Sequence, residues 1–198
     1  MDFALRCDCG TVRGSAQDVS PGLTNRVICY CSTCQAFAHY LGRGADILDA
    51  NGGSGIVQFS QGRLRLDQGA QRLACVRLTE NGPLRWYADC CKSPIGNTPS
   101  NRKLPSIGLS TNWIDVEVSG CTLDALLGPV RHVGYPDHAV GDTSDLPVGT
   151  HSLRATIRRF YKIVLSARLH GDRKRSPFFD AATGKPMADP REDERADD

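Results

Sequence analysis

Short apolar segments alternate with turn residues along most of the first 118 positions of the chain. Six segments have the length of strands together with either alternating apolar residues or β-branched and aromatic residues, and they cover residues 56–59, 63–66, 73–78, 83–87, 107–110 and 113–118. Ser60-Gln61-Gly62 and Glu80-Asn81-Gly82 separate neighbouring segments with residues that favour turns. The pattern predicts a mainly β domain over residues 1–128.

Near residue 150 the apolar residues begin to recur every three to four positions, as in a helix. Residues 130–146 are rich in Gly, Asp, His and Pro and are predicted to form a loop, after which Thr150 can cap a helix that runs to about Leu169 and stops at Gly171. The apolar residues on one face of this helix are Leu153, Ile157, Phe160, Val164 and Ala167. Its basic residues, which lie toward other faces, are Arg154, Arg158, Lys162 and Arg168. Residues 129–171 are therefore predicted to form a loop and a C-terminal helix packed on the β domain, the alternative being a helix that binds a partner or a membrane.

The last segment, residues 172–198, is dominated by charge. It begins with Arg173-Lys174-Arg175 and ends in an acidic run over residues 191–198. A segment of this composition buries little apolar surface, so a flexible tail is predicted.

Composition narrows the class of protein. The chain has 198 residues, of which 40% are hydrophobic and 23% charged, as in an average globular protein. A net charge of +2 is too small to predict a nucleic-acid partner. No apolar run reaches the roughly 20 residues of a membrane span, and the chain reaches Cys7 with no secretory signal before it. These features predict a cytoplasmic protein without a nucleic-acid or membrane partner.

Nine cysteines are the unusual part of the composition. An odd number and close spacing argue against a secreted disulfide framework. Cys75 and Cys121 stand alone and are predicted to be buried core residues. The other seven form three groups, which are Cys7-Asp8-Cys9-Gly10, Cys29-Tyr30-Cys31-Ser32-Thr33-Cys34 and Asp89-Cys90-Cys91.

The spacing of these groups suits zinc. Zinc takes about four ligands in a tetrahedron, and cysteines two or three residues apart around a tight turn can present their sulfurs close together. A redox pair needs only one C-x-x-C, so it explains the set less well. The seven thiols either serve one four-cysteine site with bystanders or divide between two sites. In the second case Cys29, Cys31 and Cys34 would hold one ion with an open position, as catalytic zinc sites do, and the remaining four would form a structural site.

The three groups resemble the pattern of the glutathione-dependent formaldehyde-activating enzyme family, whose fold also occurs in centromere protein V. That pattern is C-x-C-G, then C-H-C-x-x-C, then F-C-x-x-C-G-S-P. The third motif corresponds here to Tyr87-Ala88-Asp89-Cys90-Cys91-Lys92-Ser93-Pro94. The resemblance covers about residues 3–118 and implies a β-tent fold built from small antiparallel sheets.

The resemblance also implies a chemistry. Cys7, Cys9 and the third motif would hold a structural zinc, and Cys29, Cys31 and Cys34 would hold a second, catalytic zinc. The implied activity is that of a carbon–sulfur lyase, which joins formaldehyde to the small thiol glutathione to give S-hydroxymethylglutathione. Zinc would either bind the thiolate or polarise the aldehyde oxygen.

This chain departs from the family pattern at several positions. Ala88 stands at the first cysteine of the family's C-x-x-C, Cys90 is additional, and Lys92 replaces a glycine. Because adjacent side chains in a strand point to opposite faces, Cys90 and Cys91 can share a metal only at a turn or bulge, and Asp89 is an alternative oxygen ligand. Near the second motif Tyr30 replaces a histidine and Gln35 an arginine. The alternative function is a non-catalytic, zinc-stabilised interaction module.

Overall fold

The fold consists of two β-sheets, several short helices and one long helix. The structure is a computed structural model that describes residues 1–101 and 103–192. A three-stranded sheet has the order β1-β2-β5, formed by β1 (Phe3–Arg6), β2 (Arg13–Ala16) and β5 (Leu64–Gln68). The strands of the larger sheet are β3 (Asn25–Cys29), β4 (Ser54–Ser60), β6 (Leu73–Arg77), β7 (Leu84–Ala88), β8 (Ser93–Thr98), β9 (Ser106–Ser110), β10 (His132–Gly134) and β11 (Pro190–Glu192).

The larger sheet has eight strands in the order β10-β3-β4-β9-β8-β7-β6-β11. Its central pairs are antiparallel, and the edge strands β10 and β11 join β3 and β6 in parallel. The helices are α1 (Ser32–Tyr40), α2 (Gly44–Ile47), α3 (Val116–Ser119), α4 (Leu123–Leu127) and α5 (Leu153–Leu169). The expected mainly β fold with clustered cysteines and a C-terminal helix is confirmed.

Alternation along the strands divides the apolar residues between two cores. In β6 and β7, Cys75 and Trp86 face the main core, which also contains Leu5 of β1 and Phe59 of β4. The intervening residues, such as Tyr87, face a second core closed by α1 and α2. The larger sheet is therefore covered by the small sheet on one face and by α1 on the other.

The strand predicted over residues 113–118 is wrong. Residues Thr111–Trp113 form a 3₁₀ turn and α3 follows it. The Asp115 carboxylate accepts a hydrogen bond from the Val118 amide at 3.1 Å, and Gly120 ends the helix with φ of 66°. An N-cap and a left-handed glycine five residues apart outweigh the strand preference of the valines between them.

The long helix is present, but its start and its buried face differ from the prediction. Ser152, not Thr150, caps α5. The buried residues are Thr156, Ile163, Val164 and Ala167. Leu153 and Ile157, which were expected to face inward, are 58% and 45% exposed. The Arg159 guanidinium donates hydrogen bonds to the carbonyl oxygens of Thr24 and Pro21, and these contacts fix the rotation of the helix.

The flexible tail predicted from residue 172 is also wrong for residues 172–192. Asp172 and Phe178 are buried, and the Phe178 ring lies 5.0 Å from the Trp86 ring, centroid to centroid. Two adjacent aromatic residues, Phe178 and Phe179, anchor a segment that is otherwise rich in charge. Residues 193–198 lie outside the described residues.

Within residues 1–101 and 103–192, no helix combines the length and the apolar character that crossing a bilayer requires.

Replacing Phe178 with Ala tests whether the C-terminal segment belongs to the core. We expect Phe178→Ala to lower the free energy of unfolding by about 3–5 kcal/mol, because it leaves a cavity against Trp86. Urea denaturation measures the change. Met187→Ala, at a side chain that is 58% exposed in the same segment, is the control and should change stability by less than about 0.5 kcal/mol. Equal, small effects of both variants would contradict the packing described here.

Candidate metal centres

Four cysteines converge from the loop after β1 and the turn between β7 and β8. Cys7 and Cys9 lie on the loop, where the Gly10 amide donates a hydrogen bond to the Cys7 carbonyl at 2.8 Å and Gly10 has φ of 73°. Cys90 and Cys91 lie in the turn of residues 89–92. We call this group the four-cysteine cluster.

The sulfur positions in this cluster are compatible with tetrahedral coordination. All four Sγ atoms lie within 4.8 Å of one another. The Sγ–Sγ distances include 3.6 Å for Cys7–Cys9, 3.3 Å for Cys9–Cys90 and 3.8 Å for Cys90–Cys91. A zinc ion with Zn–S bonds of about 2.3 Å holds its sulfurs about 3.8 Å apart. The cluster can therefore hold a metal ion after small adjustments.

The turn explains how two adjacent cysteines reach one site. Lys92 has φ of 59°, and its amide donates to the Ala88 carbonyl at 2.8 Å, so the chain reverses within four residues. The Asp89 carboxylate, the alternative ligand, instead accepts a hydrogen bond from Lys92 Nζ at 2.6 Å. The structure groups Cys90 and Cys91 with Cys7 and Cys9, and their role as ligands stays a prediction.

Hydrogen-bonding groups surround these sulfurs. The Val12 amide donates to Cys7 Sγ at 3.2 Å, and Ser93 Oγ lies 3.1 Å from Cys91 Sγ. Thr11 Oγ1 lies 3.2 Å from Cys9 Sγ, and hydrogen bonds with the side chain and backbone of Thr11 and with the Cys90 thiol lower the pKa of Cys9 to about 6. Donors of this kind stabilise thiolates, which is the form that binds a metal.

The second group joins the end of β3 to the start of α1. Cys29 is the last residue of β3, Cys31 is the N-cap of α1, and Cys34 lies in its first turn. Their Sγ atoms lie within 4.8 Å of one another, and no other described His, Cys, Asp or Glu belongs to this group. Hydrogen bonds from the thiols of Cys29 and Cys34 lower the pKa of Cys31. We call these residues the three-cysteine cluster.

The two residues that depart from the family pattern beside this cluster have structural contacts. Tyr30 is fully buried, and its hydroxyl donates to Asp49 Oδ2 at 2.9 Å. Gln35 Nε2 donates to the carbonyl oxygens of Tyr30 at 2.7 Å and of His138 at 3.0 Å. Both side chains therefore connect neighbouring loops to the start of α1.

Arg85 of β7 was not identified from the sequence. Its side chain is buried, and it lines a cavity of about 20 Å³ together with Cys34. Its Cζ atom lies 5.3 Å from the centroid of the Phe37 ring. The available signal was a charged residue inside an otherwise apolar strand segment.

The two cysteines outside the clusters, Cys75 and Cys121, differ in how deeply they are buried. Cys75 is buried in the main core, as predicted. Cys121 is only partly buried, because it lies in the turn between α3 and α4 and not in a strand. Neither residue belongs to a cluster.

Comparison with known proteins gives one family. A family model described as "Family of unknown function (DUF6151)" matches residues 2–191. The chain belongs to the DUF6151 family. No protein with a curated description matches this member of DUF6151. A crystal structure of a Rhodobacter sphaeroides protein is similar at 17% sequence identity and a TM-score of 0.45, covering 66% of this chain and 99% of that one.

Cys90→Ser tests the four-cysteine cluster in this DUF6151 protein. We expect the variant to lose one metal ion per chain and to unfold at a lower urea concentration, because structural metal binding is coupled to folding and contributes roughly 10 kcal/mol or more in small zinc domains. Elemental analysis and urea denaturation measure the two effects. Cys121→Ser, outside both clusters, should keep the metal content unchanged. Loss of metal on Asp89→Asn but not on Cys90→Ser would instead favour the oxygen ligand.

Proposed function

We propose that the chain binds two zinc ions, one in each cysteine cluster, and that only the three-cysteine cluster performs chemistry. The observation behind this proposal is the number of sulfur donors, which is four in one cluster and three in the other. Four sulfurs can close a tetrahedron around an ion, whereas three leave one position for a water or a substrate. Clustered free thiols also fit the cytoplasm, where thiols stay reduced.

The proposed reaction is the carbon–sulfur bond formation suggested by the family resemblance. A small thiol, with glutathione as the first candidate, adds to formaldehyde. The sulfur forms a bond to the aldehyde carbon, the C=O π bond becomes a hydroxyl, and the thiol proton ends on that oxygen. Zinc at this position would supply Lewis acidity, either for the thiolate or for the aldehyde oxygen.

The surroundings of the three-cysteine cluster would stabilise a metal centre that carries a net negative charge. Zinc with three thiolates carries a charge of −1, and a buried charge requires a partner. The positive end of α1 begins at Cys31, and the Arg85 guanidinium lines the cavity beside Cys34. Cys29, Cys31 and Cys34 would hold the ion, while Arg85 and the helix balance its charge.

The second candidate is a non-catalytic module, and the exposed side of α5 favours it. Five large apolar residues spaced four apart are exposed, and they are Leu153, Ile157, Tyr161, Leu165 and Leu169. The helix contains no acidic residue. Such a surface suits an interaction, and it lies apart from both cysteine clusters in sequence.

Metal content and glutathione binding together separate the two candidates. We expect about two zinc ions per chain in protein purified without chelators, and about one in Cys31→Ser. The variant should lose glutathione binding, measured by calorimetry, because the metal that binds the thiol is gone. Its urea unfolding should stay cooperative, since the four-cysteine cluster is intact.

Cys75→Ser is the control, because it removes a thiol that belongs to neither cluster. This variant should keep two zinc ions and glutathione binding. Unchanged glutathione binding in Cys31→Ser, or no binding by the unmodified protein, would overturn the enzyme proposal and leave the interaction module.

A further inference from the structure

The outer side of α5 carries a row of large apolar residues. Each of them is between 45% and 78% exposed, and they are Leu153, Ile157, Tyr161, Leu165 and Leu169. At a rise of 1.5 Å per residue the row is about 24 Å long. Each step of four residues turns the row by about 40°, so Ile157, Tyr161 and Leu165 lie within about 80° of one another around the helix. The middle of the row can therefore contact one flat surface.

The residues on the two sides of this apolar row differ in character. One neighbouring row contains Thr156 and Val164, which are buried where α5 packs against β4 and β9. The other contains Arg154, Arg158 and Lys162, which are exposed. The apolar row thus lies between the packed side of the helix and a row of cations.

The charge beside the apolar row has one sign. Between Asp145 and Asp172 the sequence contains no acidic residue. Among the residues that the structure describes, Arg154, Arg158 and Lys162 form no ion pair. No residue of the helix itself neutralises these cations, so their charge acts on groups outside it.

A basic cavity lies at the C-terminal end of α5. Its volume is about 460 Å³, and its charged lining residues are Lys103, Arg168, Arg173 and Lys174. The described lining includes no acidic residue. The carboxylate of Asp172, which precedes two of these residues, is buried, where it accepts a hydrogen bond from Ser60 Oγ at 2.6 Å and pairs with Arg63. The cavity therefore has the size and the charge to hold a phosphate group with its substituents.

The combination of apolar and basic residues selects among possible partners. A second copy of the chain packed on this row would bring the arginines of the two helices together, and like charges repel. A nucleic acid would pair with the cations and leave the apolar row in water. A bilayer with anionic lipids accepts both, because apolar side chains enter the acyl boundary while basic side chains reach the phosphates.

We propose that α5 binds the surface of a bilayer that contains anionic lipids, with the apolar row inserted at the headgroup level and one lipid phosphate held in the basic cavity. Arg168 belongs to both the helix and the cavity, so it connects the two parts of the surface. The sequence predicted no membrane partner because no apolar run could span a bilayer, but a helix that lies in the bilayer surface needs no such run. This proposal requires no metal and does not depend on the proposed reaction.

Sedimentation of the full chain with lipid vesicles tests the proposal. One set of vesicles contains phosphatidylcholine alone, and the other contains equal amounts of phosphatidylcholine and phosphatidylglycerol. We expect binding to the anionic vesicles to be more than about tenfold tighter, since each basic residue near an anionic surface contributes roughly fivefold. Raising the ionic strength from about 0.05 M to about 0.5 M should weaken this binding, because salt screens the charges.

Leu165→Gln tests the apolar row at its middle. The variant should lower binding to the anionic vesicles about tenfold, because an amide does not insert into the acyl boundary as leucine does. Its urea unfolding midpoint should not change, since the side chain is exposed. Met187→Gln, at a residue that is 58% exposed outside the helix, is the matched control and should keep vesicle binding.

Arg158→Gln and the double variant Arg173→Gln/Lys174→Gln test the cations of the helix and of the cavity. We expect each cation removed to lower binding to the anionic vesicles roughly fivefold. Lys185→Gln, at an exposed lysine outside both the helix and the cavity, is the control for charge alone and should have a smaller effect.

The possible outcomes separate the proposal from its alternatives. No sedimentation with anionic vesicles, or equal binding to both kinds of vesicle, overturns it. Loss of binding in the charge variants but not in Leu165→Gln would show electrostatic adsorption without insertion, which also contradicts it. A chain that ignores vesicles but changes its oligomeric state in Leu165→Gln would assign the row to a second copy. Cys31→Ser should bind vesicles as the unmodified chain does, so this proposal and the proposed function fail independently.

Discussion

The sulfurs of each cysteine cluster lie within 4.8 Å of one another, and as thiolates they would repel unless a cation lay between them. In the four-cysteine cluster the contributing segments are far apart in sequence. Cys7 follows a strand of the small sheet, and Cys90 follows a strand of the large one. A metal bound there would connect the two sheets at one edge of the main core. With a metal bound, the cluster would stabilise the arrangement of the two sheets.

The three-cysteine cluster is formed by one short stretch of the chain, and the groups that could compensate its charge lie outside that stretch. Its ligands span six residues at the junction of β3 and α1, so it adds little constraint to the distant parts of the chain. With a metal bound, the start of α1 and Arg85 of the strand β7 would compensate the charge of the cluster. In the proposed function, the local cluster would thus set the chemistry, and the tertiary structure would set the charge around it.

The sequence predicts the parts of this structure that depend on neighbouring residues. Alternating apolar segments locate strands such as β4, β6 and β7, and the spacing of the thiols indicates both clusters. The rotation of α5 depends on contacts of Arg159 with a distant loop, and the packing of residues 172–192 depends on Phe178 meeting Trp86. Arg85 was missed for the same reason, since only the folded chain brings it to the cavity beside Cys34. Contacts between residues that are far apart in the sequence cannot be predicted from one short stretch of it.

The turn of residues 89–92 brings a thiol to the four-cysteine cluster although its sequence departs from the family pattern. Ala88 stands where the compared family pattern has a cysteine, and here it is buried in the main core. Cys90, two residues later, lies 3.3 Å from Cys9 and 3.9 Å from Cys7, sulfur to sulfur, and so supplies a thiol from within the turn. Lys92 adopts the left-handed conformation for which glycine, the residue of the pattern, is better suited. A thiol from another position of the turn thus reaches the cluster, and the position of the sulfur, not the residue number, determines whether a metal can bind.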